Sequence, residues 1–237
     1  MNSGKYDKIN ESVRPSEELA YWTGVMQTDG YLKKEKDSRY KTNRIRYYAK
    51  VGVRTSLPML EKFRLISQTK LGRTNTFWKS NTGYVEFKIG INRLMPIFSK
   101  LDISFSDPPR PPFWCLENPA FFGAYLAGII DGDGNIDIRR PKYSQCAIRI
   151  ASAVEQIDLK VAIERMMKCK VHINKTRKLN RLGERRFYGT AFILETYASR
   201  KNYEFILTHV CKHIAMGHKK IKLESFLRNK YKAVPGI

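Results

Sequence analysis

Acidic side chains are scarce in this chain. Asp and Glu number 22 against 44 Lys and Arg in 237 residues, a formal net charge of +22. Such a surface disfavours cationic partners and points to a polyanion. Nucleic acid comes first, because neutralising phosphates releases counterions and drives association. Cysteine is also sparse: Cys115, Cys146, Cys169 and Cys211 are widely spaced, with no Cys-x-x-Cys pair. That spacing argues against a structural zinc site and against a disulfide framework, so reduced, mostly buried thiols are expected. Long apolar runs are missing too. The longest, residues 121–130, is about half of the roughly 20 residues a membrane-spanning helix needs. Residues 1–12 are polar and lack the hydrophobic centre of a secretion signal, so neither a secreted nor a membrane protein is expected. Apolar residues (42%) and aromatics (12%) are plentiful enough for a buried core, which excludes wholesale disorder.

The length suits one large domain or two small ones. Five of the ten prolines (Pro108, Pro109, Pro111, Pro112 and Pro119) fall within residues 102–119. That density reads as a stiff, extended linker between residues 1–101 and 120–237, and the two halves are related. LAYWTGVMQTDG runs from Leu19 to Gly30, and GAYLAGIIDGDG runs from Gly123 to Gly134. At a spacing of 104 residues Ala20 meets Ala124, Tyr21 meets Tyr125, Gly24 meets Gly128, Asp29 meets Asp133 and Gly30 meets Gly134. Further on, Thr55 and Ser152 precede helix-like stretches at 56–70 and 154–168. The spacing there has fallen to 97, which leaves about seven extra residues in the first half, at a hairpin tip around 37–43.

Each half reads as helix, two strands, helix, two strands, helix. Residues 44–55 alternate, with Ile45, Tyr47, Ala49, Val51 and Val53 inward and Arg44, Arg46, Tyr48, Lys50 and Arg54 outward, the period of a half-buried strand. Residues 84–91 alternate similarly, with Lys88 outward. In the second half Arg149 lies opposite Ile148 and Ile150, and His172, Asn174 and Lys178 lie opposite Val171 and Ile173. Third helices are expected at 92–101 and 201–213, and a last one at 214–232.

In both copies of the repeat small residues recur every fourth position: Ala20, Gly24, Thr28 and Ala124, Gly128, Gly132. Such a stripe lets two backbones approach closely, so the two helices are expected to pack on each other. Gly30 and Gly134 then end them, with Asp29 and Asp133 side by side. Two carboxylates at two helix C-termini are repelled by each other and by both helix dipoles. A divalent cation would compensate, with the carbonyls of Thr28 and Gly132 as further oxygen ligands. On a phosphate-binding surface that chemistry is phosphodiester hydrolysis by metal-activated water.

Residues 126–134, LAGIIDGDG, resemble the signature of the LAGLIDADG homing endonucleases at seven of nine letters, and residues 22–30 resemble a degenerate second copy that keeps the Gly, the last Asp and the final Gly. The resemblance extends over almost the whole chain, in the single-chain, two-repeat form. It implies an α+β fold of two pseudo-symmetric αββαββα repeats packed through their motif helices, each with an antiparallel β-saddle for DNA. It further implies Mg²⁺-dependent double-strand cleavage of a long, asymmetric DNA site by a monomer, in an intron- or intein-homing role. Asp29 and Asp133 would be the catalytic, metal-binding acids, and Lys100 and Lys212 the best matches to a basic residue near each third helix. The outward strand residues would read DNA: Arg44, Arg46, Arg54, Lys79 and Lys88 in the first repeat; Arg139, Arg149, His172, Asn174, Lys178 and Arg186 in the second. Arginine pairs with guanine, and Asn with adenine, in the major groove. Basic loops around 33–41 and 175–186 would follow phosphates. Gln27, where the second copy has Asp131, leaves open unequal cleavage of the two strands. An intron RNA maturase or a non-cleaving DNA-binding protein is the alternative on the same fold, so intron RNA stands beside double-stranded DNA as a partner. The setting would be intracellular, an organelle matrix or a prokaryotic cytoplasm.

Other patterns fail. A calcium loop starting at Asp131 would need Gly where Ile136 stands and an acid where Lys142 stands. His209 and His213 have helical zinc-ligand spacing, but Val210 stands where the metalloprotease pattern needs Glu.

Overall fold

The computed structural model describes residues 13–36, 45–105, 108–139, 145–182 and 185–231, with 178–182 and 185–187 described by their backbone alone. The first repeat comprises α1 (Glu17–Met26), β1 (Gly30–Lys36), β2 (Ile45–Val53), α2 (Leu57–Thr69), β3 (Trp78–Lys79), β4 (Val85–Gly90) and α3 (Met95–Lys100). The second comprises α4 (Pro119–Asp133), β5 (Gly134–Arg139), β6 (Gln145–Ser152), α5 (Ile157–Met167), β7 (Val171–Leu182), β8 (Arg185–Ala198), α6 (Tyr203–Phe205) and α7 (Gly217–Tyr231). The sheets have the same antiparallel topology, β1-β2-β4-β3 and β5-β6-β8-β7. In each, the glycine that follows the motif helix opens the first strand: Gly30 pairs with Val51, and Gly134 with Ile150.

The motif helices are capped at their starts and joined along their lengths. Leu19 N–H donates to Ser16 Oγ (3.1 Å), and Ala120 N–H donates to Asn118 Oδ1 (2.9 Å), satisfying amides that a helix start leaves open. Every α1 residue from Leu19 to Met26 is buried, as is every α4 residue from Phe122 to Asp131. A Cβ on Gly24 would lie 2.3 Å from Tyr125 O, and a Cβ on Gly128 would lie 2.3 Å from Tyr21 O. The helices thus touch backbone to backbone, and only glycine fits at either crossing point. Each sheet packs its apolar face around this pair. In the first repeat Trp22 carries the junction: it stacks on Phe63 (5.1 Å) and Phe98 (5.5 Å) and donates its indole N–H to Ser67 Oγ (2.9 Å).

Several expectations are corrected. Residues 175–182 and 185–186 form no basic loop but belong to the antiparallel strands β7 and β8, with Lys175 paired to Phe192 and Leu182 to Arg185, because cross-strand pairing runs the full length of both strands; 183–184 lie outside the described residues. The segment 33–36 likewise belongs to β1, and 37–44 lie outside the described residues. The third helix of the second repeat is one α-turn that runs into a π-helical stretch, Ile206–Cys211. The wide turn sits on α4 at Gly123, where a Cβ would lie 2.4 Å from His209 O. The proline segment is part of the fold: Pro109, Pro111 and Pro112 are buried, Phe113–Cys115 forms a 3-10 turn, and Trp114 Nε1 donates to Leu101 O (2.8 Å). All four cysteines are free thiols, and Cys115, Cys146 and Cys211 are buried. Among the described residues no helix is long and apolar enough to cross a membrane.

Replacing Gly128 with Ala forces the two backbones apart. It should lower unfolding free energy by about 3 kcal/mol, read from the urea midpoint. Gly217→Ala, where a Cβ meets nothing within 4 Å, should change it by less than about 1 kcal/mol.

Candidate functional site

The close crossing at Gly24 and Gly128 sets where the helices end. One turn further on, Gly132 meets Thr28: a Cβ there would lie 2.2 Å from Thr28 Oγ1 and 3.3 Å from Asp29 Oδ2. The Asp29 carboxyl therefore lies against the last turn of α4, the turn that ends in Asp133. Thr28 Oγ1 donates back to the last turn of α1, to Gly24 O (3.1 Å) and Val25 O (3.2 Å). Burial raises the Asp29 pKa, opposed by the charge of Lys219. Asp133 is exposed.

Lys219, from the first turn of α7, is the cation that sequence reasoning missed. Its ammonium donates to Ile130 O (2.7 Å) and Asp131 O (2.9 Å), capping the C-terminal end of α4. Burial lowers its pKa, while the charges of Asp131, Asp29 and Asp133 raise it. The helix-end repulsion expected from the sequence is thus met partly from within the chain. Nothing local in the sequence marks Lys219 among its neighbours Lys220 and Lys222; it reaches the site because α7 folds back onto α4.

The sixth motif position has a positional role in both repeats. Tyr21 Oη donates to Asp131 Oδ2 (2.7 Å), and Ala215 N–H (2.7 Å) and Met216 N–H (3.1 Å) donate to the same carboxylate. By pseudo-symmetry Tyr125 Oη donates to Gln27 Oε1 (2.7 Å), which also accepts from Arg110 N–H (3.0 Å). Gln27 Nε2 then donates to Ser104 O (2.9 Å) and Arg110 O (3.0 Å). Each residue ties the segment that follows its partner element to the motif helices. Asp131 meets only donors, so a carboxylate suits it; Gln27 meets donors and acceptors, so an amide suits it. The difference that looked like a lost acid is a difference in hydrogen-bonding polarity.

The remaining sequence-predicted residues are distributed unevenly. Lys100 is exposed at the end of α3. Lys212 pairs with Glu17 at 2.6 Å, on the first turn of α1 and so at the end away from Asp29. Neither is the cation acting on Asp29, which is Lys219. His213 Nε2 also contacts Glu17, at 2.5 Å, whereas the His209 ring lies 5.2 Å from Phe205. Among the described residues no three His, Cys, Asp or Glu side chains are arranged around a metal position.

On the outer face of the first sheet Lys88 is bound to Glu35 at 2.8 Å and stacks over Tyr48 at 3.8 Å. Hydrogen bonds from Lys33 and Lys88 hold Glu35 at about 2. Arg46 lies opposite Glu35 in register. Lys50 is nearly buried, paired with Glu86 at 2.7 Å. Lys79 pairs with Val85 and so shares the core-side face at the sheet edge, while Trp78, opposite Glu86, takes the outer face and is 57% exposed. Arg54 lies beyond the end of β2. Arg44 lies outside the described residues. In the second sheet Arg139, Arg149, His172 and Asn174 share the outer face. Lys178 and Arg186 are in β7 and β8, with their side chains outside the described residues.

The donor set fits a hard divalent cation. Asp29 and Asp133 come from different repeats, Asp29 is partly desolvated, and the charge of Lys219 acts on both. Both side-chain donors are oxygens, the ligand type such an ion accepts.

No protein-family model and no curated protein sequence matches the chain. Solved structures do. The homing endonuclease I-DmoI, in a study of mesophilic variants, superposes with TM-score 0.52 at 17% identity, covering 86% of this chain and 99% of its own. I-DmoI in complex with DNA and Mn gives 0.53 at 16% identity, covering 83% and 98%. A double mutant of I-SmaMI gives 0.51 at 12% identity, covering 92% and 93%. At these identities the likeness is one of fold: the chain has the two-repeat LAGLIDADG architecture.

Gln27→Glu would set a carboxylate against the carbonyls of Ser104 and Arg110, and Asp131→Asn would turn an amide donor toward Met216 N–H or toward Tyr21 and Ala215 N–H. Each should cost about 1–3 kcal/mol of stability, measured by chemical denaturation.

Proposed function

We propose that this chain is a site-specific DNA endonuclease that cuts both strands of a duplex at one composite site, as a monomer, in the manner of intron- or intein-homing enzymes. The observation that carries this reading is the Asp29 carboxyl lying against Gly132, the residue before Asp133 in the other repeat, with the charge of Lys219 acting on both acids. The I-DmoI structure solved with DNA and Mn supports the same reading. Asp29 and Asp133 would hold a divalent cation, Mg²⁺ in this proposal, together with main-chain oxygens of Thr28 and Gly132. When bound, the cation would supply Lewis acidity toward a phosphate oxygen and lower the pKa of a coordinated water. Lys219 offsets the negative charge gathered at the helix ends, so the acids can stay ionised beside an incoming phosphate. The outer faces of the two sheets position the duplex. Because the repeats differ in sequence, a single chain presents two different surfaces and suits an asymmetric target.

Asp29→Asn and Asp133→Asn should each reduce double-strand cleavage by more than the roughly 10- to 100-fold that loss of an outer-shell partner costs at metal sites. The test uses Mg²⁺ and a plasmid library of candidate sites, followed by sequencing of the cut ends. Full double-strand cleavage by either variant would overturn the mechanism. Hydroxyl-radical protection of intron RNA without any DNA cleavage would instead identify a maturase.

The pH dependence follows from the site. The raised pKa of Asp29 means that its folded form holds a proton to higher pH than a free aspartate, and cation binding needs it deprotonated. Mn²⁺ affinity should therefore fall on acidification through that raised pKa. Lys219→Met removes the charge that opposes the rise, so the fall should begin at higher pH, as read by Mn²⁺ titration calorimetry.

A further inference from the structure

Among the cavities, buried titratable groups and surface clusters outside the acid site, one cluster combines burial, charge and a functional face. On the outer face of the second sheet, Arg149 on β6 lies opposite Glu195 on β8, and Glu195 lies opposite His172 on β7. Arg149 Nε donates to Glu195 Oε2 at 2.5 Å, Arg139 Nη2 donates to the same oxygen at 3.0 Å, and Arg139 Nε donates to Asp137 Oδ2 at 2.6 Å. Arg149 Nη1 lies 3.4 Å from Asp137, and the Tyr197 hydroxyl donates to the other oxygen of Glu195. The Glu195 side chain is only 7% exposed, whereas the Arg139 and Arg149 side chains bound to it are 30% and 33% exposed.

Two arginines and two carboxylates make this cluster formally neutral, on a chain of +22. A neutral cluster adds little to counterion release and therefore little to sequence-independent affinity. It does hold two guanidinium groups in fixed positions at low further entropy cost. Arg139 Nη1 and Arg149 Nη2 enter neither carboxylate contact described above. Fixed N–H donors on the outer sheet face, carried by partly exposed side chains, match the O6 and N7 acceptors of guanine in the major groove.

Resting on the proposed DNA reading, we propose that Glu195 is a specificity-determining residue. It clamps Arg139 and Arg149 into a rigid donor pair that reads guanine edges, and it denies them to phosphates. Glu195→Gln keeps the size of the side chain but removes the charge that holds both arginines. The freed arginines can then reach phosphates, so affinity and selectivity should move in opposite directions. A merely structural loss would lower both.

The experiment selects binders from a randomised double-stranded DNA library in EDTA, so that nothing is cut, and sequences the bound fraction. Wild type should enrich a motif with guanine at one or two adjacent positions in one half-site. Glu195→Gln should lose roughly tenfold preference at those positions only. It should bind non-cognate duplex more tightly, with a steeper salt dependence by about one phosphate. Glu117→Gln, the same charge change at the exposed turn before α4, controls for net charge and should leave the motif intact. Glu195→Asp, which restores the charge, should recover part of the preference. An unchanged motif in a Glu195→Gln variant of wild-type thermal stability would overturn the inference, as would loss of affinity for every duplex. If that variant does not fold, Asp137→Asn carries the same test on the other shared acid, with the same outcomes. Failure of wild type to enrich any motif would instead overturn the DNA reading on which the inference rests.

Discussion

The contact of two backbones at Gly24 and Gly128 is the constraint on which the rest of the molecule depends. A helix pair with ordinary side chains between its members stays about 8–10 Å apart, too far for the residues of one to abut the backbone of the other. Here each glycine would place a Cβ 2.3 Å from a carbonyl oxygen across the interface, so the axes approach until the chains touch. That approach sets Gly132 against Thr28 and the carboxyl of Asp29, and it brings both motif helices to an end together. The sheets start directly from those ends, at Gly30 and Gly134, so their placement is tied to the same crossing.

Close approach concentrates negative charge, and the molecule meets this with distributed devices. Lys219 caps the last carbonyls of α4 while its charge reaches Asp29, Asp131 and Asp133. Asp131, the most deeply buried of the three, is satisfied by the Tyr21 hydroxyl and two main-chain amides. Those amides belong to the stretch just before α7, the helix that carries Lys219. Gln27 and Tyr125 repeat the arrangement in the other direction and tie down the proline segment. The segment between repeats and the segment before α7 are thus pinned by the same position of the repeated motif.

The outer sheet faces show a second economy of charge. Lys50 is matched by Glu86, Lys88 by Glu35, and Arg139 and Arg149 by Glu195 and Asp137. With only 22 acids in the chain, placing several on these faces means that part of the positive surface is fixed in geometry and not free to follow phosphates. Aromatic rings reinforce the pattern, with Lys88 over Tyr48 and Lys50 over Tyr31.

Local and periodic information was enough for the architecture. A stripe of small residues repeated at a spacing of 104, alternating strands and a cluster of prolines define two like halves joined along their motif helices, because burial of a period-two or period-four pattern has few solutions. It also marked Asp29 and Asp133 as the acids to examine. What it left out depends on contacts between residues distant in sequence. Lys212 and Lys219 look alike in a basic stretch; only the return of α7 onto α4 sends one to the acids, while the other pairs with Glu17. Gln27 reads as a lost carboxylate until the carbonyls of Ser104 and Arg110 appear beside its amide. Lys79 and Trp78 exchange faces through the register of β3 on β4, since a one-residue slip turns every side chain over. Periodicity selects which side of an element is buried, whereas the tertiary fold alone decides which partner meets each polar group, because those partners lie up to a hundred residues or more away along the chain.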